Sequence, residues 1–361
     1  MAVPGPVNAT PQLGRRRTIV GISLAVLLVA SILLSAVVGQ FGVTVQEVVL
    51  SVLRHSWIPN PWFANPWPEI DETADAALWV IRFPRIVMAM AVGAALAVAG
   101  AVMQAVFGNP LAEPGVVGVS SGAALGAAFA IVTGLLAFGE WTIAVLAFAG
   151  GLGATLLVYG VSRANGRTEV VTLLLTGIAV NAFGGAGLAF LLFIGGDSSR
   201  EQIVFWQLGS LSGSLWRESL LVLIVAALGT VIAIALGRRY DILSLGERNA
   251  RHLGIDVERL RLWSILLVAL LTGVGVAFVG IISFVGLVVP HLMRMILEPS
   301  HRALLTASAF GGALLLVLSD LLARTAVTGA ELPIGLLTSL VGGPFFFILL
   351  WRQRRASGGW A

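Results

Sequence analysis

Asp320 and Arg324 are the charges that stand out inside the long apolar runs of this sequence, and their spacing of four sets both on one helix face, where they can pair. An ionisable group in hydrocarbon is costly and often marks an ion site or proton relay. No chain of carboxylates and histidines accompanies the pair, so a gradient-driven proton path is the weaker reading. His291 lies near a predicted helix break, where an imidazole can bond freed backbone carbonyls, and His301 is similar. His55 reads as a lone, solvated residue. None of the three is expected to ligate a metal. The chain has no cysteine, and all 22 of its basic residues are arginine. Without lysine there is no phosphate-binding loop for ATP, and without cysteine no disulfide or thiolate site. No serine, histidine or carboxylate cluster has catalytic spacing. The expectation is a non-catalytic chain that binds no cofactor, no metal and no nucleic acid.

The elements that carry these residues are set by composition. Over 361 residues the chain is 58% hydrophobic and 11% charged, with a mean hydropathy of +0.96. That is more apolar surface than a soluble domain can bury. A spanning helix needs about 20 apolar residues, and runs of about that length recur. The expected spans are 18–38, 86–107, 121–138, 142–161, 170–194, 220–236, 262–279, 281–295, 304–322 and 334–351. Pro290 is expected to bend or stop the short eighth span. The reading is an all-α polytopic membrane protein: one ten-helix domain over 18–355, with tails at 1–17 and 356–361.

Cytoplasmic loops collect positive charge. With both termini cytoplasmic, 16 of the 22 arginines fall inside, and Arg54, Arg82, Arg85, Arg200, Arg217 and Arg324 fall outside. An even number of spans agrees with that bias. The first span is too long for a cleavable signal core and reads as a retained helix. The external segment 41–81 opens on Thr44-Val45-Gln46-Glu47, a capping box ahead of an amphipathic helix. Trp57, Trp62 and Trp67, interleaved with Pro59, Pro61, Pro66 and Pro68, suit an anchor at headgroup level. Glycines within spans, among them Gly93, Gly100, Gly122, Gly150, Gly153 and Gly312, allow close helix packing in lipid.

The cytoplasmic connector 237–261 has apolar positions at Leu243, Leu245, Ala250, Leu253 and Ile255, and Gly254 is suited to end a short helix. Such a helix outside the membrane fits either lipid headgroups or a protein groove.

These residues lead to a resemblance. Arg82-Phe83-Pro84-Arg85, Gly100-Ala101-Val102-Met103-Gln104, the turn-rich connector from Asn109 to Ser121, Phe205-Trp206-Gln207-Leu208-Gly209, the segment Gly280 to Arg294 and Glu331-Leu332-Pro333-Ile334-Gly335 follow one another in order. Together they resemble the permease subunit of type II ABC importers, which move iron-siderophores, heme and cobalamin. The resemblance implies a homodimer with the pore at its two-fold interface, two ABC ATPase subunits that use ATP and Mg, and an extracytoplasmic substrate-binding protein. It assigns ATPase coupling to Leu245, Gly246, Glu247, Ala250, Leu253 and Gly254, in a groove of the ATPase. It assigns docking of acidic binding-protein residues to Arg82, Arg85 and Arg324. Of the path and gate, Asn109 and Leu111 carry over directly, Val170 and Val171 stand where related permeases narrow the exit with small hydroxyl residues and would make a hydrophobic gate instead, and the fifth span with Asn181, Gly184, Gly185 and Phe190 lines the pore. The expected cargo is an iron chelate, heme or ferric siderophore, with cobalamin third, and the expected location is the bacterial inner membrane in contact with its lipid.

Overall fold

A computed structural model describes residues 11–39, 41–55, 70–164, 167–297, 300–327 and 329–356. Among these described residues fourteen α-helices run in chain order: α1 Pro11–Val37, α2 Val45–His55, α3 Glu72–Ala76, α4 Phe83–Phe107, α5 Val119–Thr133, α6 Thr142–Val161 and α7 Val170–Ile194, followed by α8 Asp197–Leu208, α9 Trp216–Leu243, α10 Glu247–His252, α11 Val257–Val279, α12 Val285–Ile296, α13 His301–Thr325 and α14 Ile334–Ala356. One two-residue antiparallel ribbon, pairing Arg163 with Thr168, joins α6 to α7. Among the described residues, seven helical stretches are long and apolar enough to cross a bilayer, and three shorter apolar helices, α5, α12 and the 334–348 part of α14, stand where the third, eighth and tenth spans were expected.

Three expectations change. The second span begins earlier, because α3, a π-helical turn at Ala77–Arg82 and α4 run as one rod over Glu72–Phe107. Pro84 explains the irregular turn, since it lacks the amide that would bond back to the preceding turn. Pro290 does not stop α12. The helix passes through it to Ile296 with the Gly286 carbonyl left without its backbone partner, and the break falls instead at 280–284. The tail also turns helical before residue 17, in α1. Trp57 to Pro68 lie outside the described residues. The capping box is formed: the Thr44 amide donates to Glu47 Oε2 at 2.7 Å and the Glu47 amide to Thr44 Oγ1 at 3.2 Å, which holds the Glu47 carboxyl below its ordinary range.

The core is built on α4. It is apolar all round, as a helix buried on every side must be, and α13, α9, α11 and α12 surround it. Two contacts fix the spacing of that bundle. A Cβ at Gly93 would stand 2.2 Å from the Gly312 carbonyl oxygen of α13, and one at Gly312 only 2.1 Å from that of Gly93. A Cβ at Gly100 would stand 1.7 Å from the carbonyl oxygen of Gly286. Pro290 has no amide to offer that carbonyl, so Gly286 turns it toward the bare Cα of Gly100. Glycine is required at both crossings. Gly153 differs, with open space around it.

Candidate coupling and translocation site

At the Phe107 end of α4, Gly108 closes the helix in the left-handed region, at φ 59°. The Asn109 side chain then accepts from the Leu111 amide at 2.9 Å, a local turn that starts the connector. A 3-10 turn over Pro114–Val117 and a left-handed Gly118 lead into α5. The connector is packed against α7. A Cβ at Gly177 would lie 1.9 Å from the Val116 carbonyl oxygen, Asn181 Nδ2 donates to the Gly115 carbonyl at 3.2 Å, and Ser121 Oγ donates to Asn181 Oδ1 at 2.7 Å. Asn181 is therefore a brace between α7 and the connector, while it also borders a cavity of about 460 Å3 with Glu113, Ser120, Gln207 and Ser283. Burial pushes the Glu113 carboxyl up from its ordinary range. Val171 and Phe190 stand exposed on α7, away from that brace.

At the same end, the predicted coupling segment contains a short helix, α10, entered through Gly246 at φ 98° and left through Gly254 at φ 82°. Its apolar residues divide. Leu243, Ala250 and the half-buried Ile255 turn inward, whereas Leu245 and Leu253 are 60% and 61% exposed. Two bare leucines beside a charged helix suit a protein groove. Sequence reasoning missed what anchors this helix: Arg261, whose side chain is 1% exposed. Its Nη2 reaches Glu247 Oε1 at 2.5 Å, and its Nη1 reaches the Thr168 carbonyl at 2.9 Å and Glu258 Oε1 at 3.4 Å. The Thr168 amide in turn donates to Glu258 Oε2 at 3.0 Å. One guanidinium thus ties α10 and α11 to the residues just ahead of α7. The only signal in the sequence was an arginine one helical turn after Glu258.

A cavity of about 420 Å3 joins these parts. Phe107, Gly108 and Pro110 line it from the connector, Val170 from the start of α7, and Gly246 and Glu247 from the entry to α10.

The three arginines assigned to docking gather at the other end of α4, about 35 Å away at 1.5 Å per residue. Each is occupied within the chain. Arg82 donates to the carbonyls of Ala36, Val37 and Phe41. Arg324 donates to Val38 O at 2.7 Å and Ser35 O at 2.5 Å. The expected Asp320–Arg324 pair is present but loose, at 3.6 Å. Asp320 instead bonds Arg85 Nε at 2.8 Å, and Arg85 Nη1 takes Glu331 at 2.9 Å. Glu331 stands on the rim, with a third of its side chain exposed.

The histidines also differ from expectation. His55 is not alone: it faces Asp75 at 3.6 Å and lies against the Trp79 ring. His291 Nδ1 is buried without a hydrogen-bond partner among the described residues. Asp241 Oδ1 accepts from the His301 amide at 2.8 Å and lies 2.8 Å from His301 Nδ1. No group of metal-ligating side chains occurs among the described residues.

The profile of the FecCD transport family matches residues 27–352. The chain belongs to the FecCD transport family. The cobalamin import system permease protein BtuC of Halobacterium salinarum is 38% identical over 351 residues, covering 90% of this chain and 94% of that protein. The hemin transport system permease protein HmuU of Yersinia pestis is 43% identical over 288 residues, covering 78% and 85%. A solved inward-facing structure of a metal-chelate type ABC transporter aligns with a TM-score of 0.80 and 32% identity, over 93% of this chain and 99% of that one. As a FecCD member the chain is a multi-pass permease subunit of an ABC importer, and it is non-catalytic: ATP hydrolysis belongs to separate ATPase subunits.

Proposed function

We propose that this permease carries an iron chelate, heme or ferric siderophore, across the bacterial inner membrane, as a homodimer with both termini in the cytoplasm. The reading rests on one observation above others. The cavity at the coupling end is bounded at once by the connector, by Val170 and by the entry to α10. An ATPase pair that seats Leu245 and Leu253 would move α10, and the Arg261 bridge would carry that motion to the start of α7. Asn109, Leu111, Val170 and Val171 then form the inner gate, and Phe190 the path wall. A relative named for hemin supports a heme cargo. Relatives named for cobalamin, at 38% and 41% identity, favour cobalamin as the second reading.

Docking of the substrate-binding protein falls to the Arg82, Arg85 and Arg324 cluster. Because those guanidiniums have internal partners, an incoming carboxylate enters by exchange, and the partly exposed Glu331 is where it gains access. Exchanging Arg82 and Arg85 for Glu should weaken binding-protein affinity and uptake together; if neither changes, the docking role fails.

The deciding experiment is ATPase activity of the permease purified in lipid with its co-encoded ATPase, titrated with the co-encoded binding protein. Stimulation by the heme-loaded or ferric-siderophore-loaded form alone is expected. Stimulation by the cobalamin-loaded form alone would replace the cargo, and an ATPase that neither co-purifies nor responds would remove the coupling assignment.

A further inference from the structure

Beside α10, between α9 and α11, an open groove of about 670 Å3 runs along the outside of the bundle. Its walls are graded along their length. On α11 the lining positions Arg259, Trp263, Leu266 and Leu270 recur every three or four residues and so form a single stripe. On α9, Leu236 and Arg239 face them. The two arginines stand together at one end and the apolar side chains occupy the rest. From Arg259 to Leu270 the stripe is about 17 Å long at 1.5 Å per residue, close to half of the roughly 30 Å hydrocarbon thickness.

The charged end is not neutralised from within. Arg239 is exposed, and its side chain makes no hydrogen bond or ion pair among the described residues. Arg259 shares its Nε with Asp256 at 3.0 Å, which leaves both Nη groups open. Asp256 is further committed to the Arg259 amide as the cap of α11. The three groups sum to one positive charge. Next along the stripe Trp263 is 61% exposed, and an indole beside arginines near the end of a span is the kind of residue that sits between headgroup and chain.

We propose that this groove is a binding site for one anionic diacyl phospholipid. Its phosphate lies between Arg239 and Arg259, its headgroup edge meets Trp263, and one acyl chain follows the stripe to Leu270. The charge of the arginine end selects an anionic headgroup over a zwitterionic one. A free phosphate ion would use the arginines but leave the apolar stripe without a role, and a protein segment would need an apolar helix to descend beside α11. Gly254 and Ile255, the joint between α10 and α11, line the same groove, so an occupied groove buttresses the hinge of the helix that α10 supplies for coupling. The site requires only that the chain spans a membrane, and is independent of its cargo.

Native mass spectrometry of the full chain, equilibrated with equal amounts of phosphatidylglycerol and phosphatidylcholine, tests this. Wild type should retain phosphatidylglycerol over phosphatidylcholine by roughly tenfold or more, and the R239Q/R259Q double variant should lose that preference. Equal retention of the two lipids by wild type, or a preference that survives in R239Q/R259Q, overturns the site. A second measurement covers a variant that fails to fold: a photo-crosslinking residue at position 266 in the otherwise unaltered chain, in membranes that contain its ATPase. A phosphatidylglycerol adduct is the expected product, while an adduct to the ATPase or to a second copy of the chain would overturn the proposal.

Discussion

Asp320 holds together two helices that share no stretch of sequence, because its carboxylate, almost wholly buried, answers Arg85 of α4 and Arg324 of α13. Removing one member of a buried ion pair leaves an uncompensated charge, at a cost of about 3–5 kcal/mol. Arg85 keeps Glu331, so Asp320→Ala is expected at the lower end, about 3 kcal/mol, read as a fall in melting temperature in detergent. An unchanged melt would mean the pair contributes nothing net. The pairing partner was only half legible: spacing along one helix named Arg324, but the tighter partner, Arg85, lies 235 residues away. Glu113 poses the opposite case, a carboxyl bordering a cavity with no ion pair among the described residues, its pKa raised by burial. A raised folded-state pKa means that stability falls as pH climbs from the ordinary glutamate range through the raised value. Glu113→Gln carries no charge to bury, so its melting temperature should lose that fall and exceed wild type at neutral pH. Parallel profiles for the two proteins from pH 4 to 8 would count against the account.

Elements were more legible than their joints. Apolar runs located the helical stretches, seven long enough to span and three shorter among the described residues, because a spanning helix needs about 20 apolar residues. The breaks at 280–284 and the continuous rod from Glu72 depend on which carbonyls find partners in three dimensions, and periodicity carries no such information. Phe284, at φ 67°, is the one non-glycine residue with positive φ among the described residues, and a Cβ at Gly342 would meet its side chain at 2.3 Å. Helix spacing makes a paired prediction. Gly100→Ala should destabilise by about 1–3 kcal/mol through overpacking against Gly286, whereas Gly153→Ala, with space around it, should match or slightly exceed wild type because alanine is the better helix former. Equal effects would show that crossing geometry does not set stability. The Arg261 bridge belongs to this scale too. Arg261→Ala should leave the permease able to recruit its ATPase through Leu245 and Leu253, yet lower the substrate imported per ATP hydrolysed in proteoliposomes. A preserved ratio would mean motion reaches α7 by another route.

At the scale of the whole molecule, the bundle has surfaces of different kinds. The stripe beside α11 is apolar but graded to charge at one end, as a lipid boundary would be. The face of α7 that carries Phe183, Phe190 and Phe193 is apolar and bare. If the path lies on a two-fold axis between copies, that face meets its own symmetry mate, and residues near the axis meet themselves. The chain offers a clean way to ask, because it has no cysteine. Phe190→Cys in membranes treated with a short bismaleimide should give a covalent dimer, while Trp263→Cys on the lipid-facing groove should stay monomeric under the same treatment. Both substitutions remove one exposed aromatic ring, so a difference in folding does not explain a difference in cross-linking. A dimer from Trp263→Cys and none from Phe190→Cys would exchange the two surfaces, putting α11 at the interface and lipid against α7, and would remove Phe190 from the path.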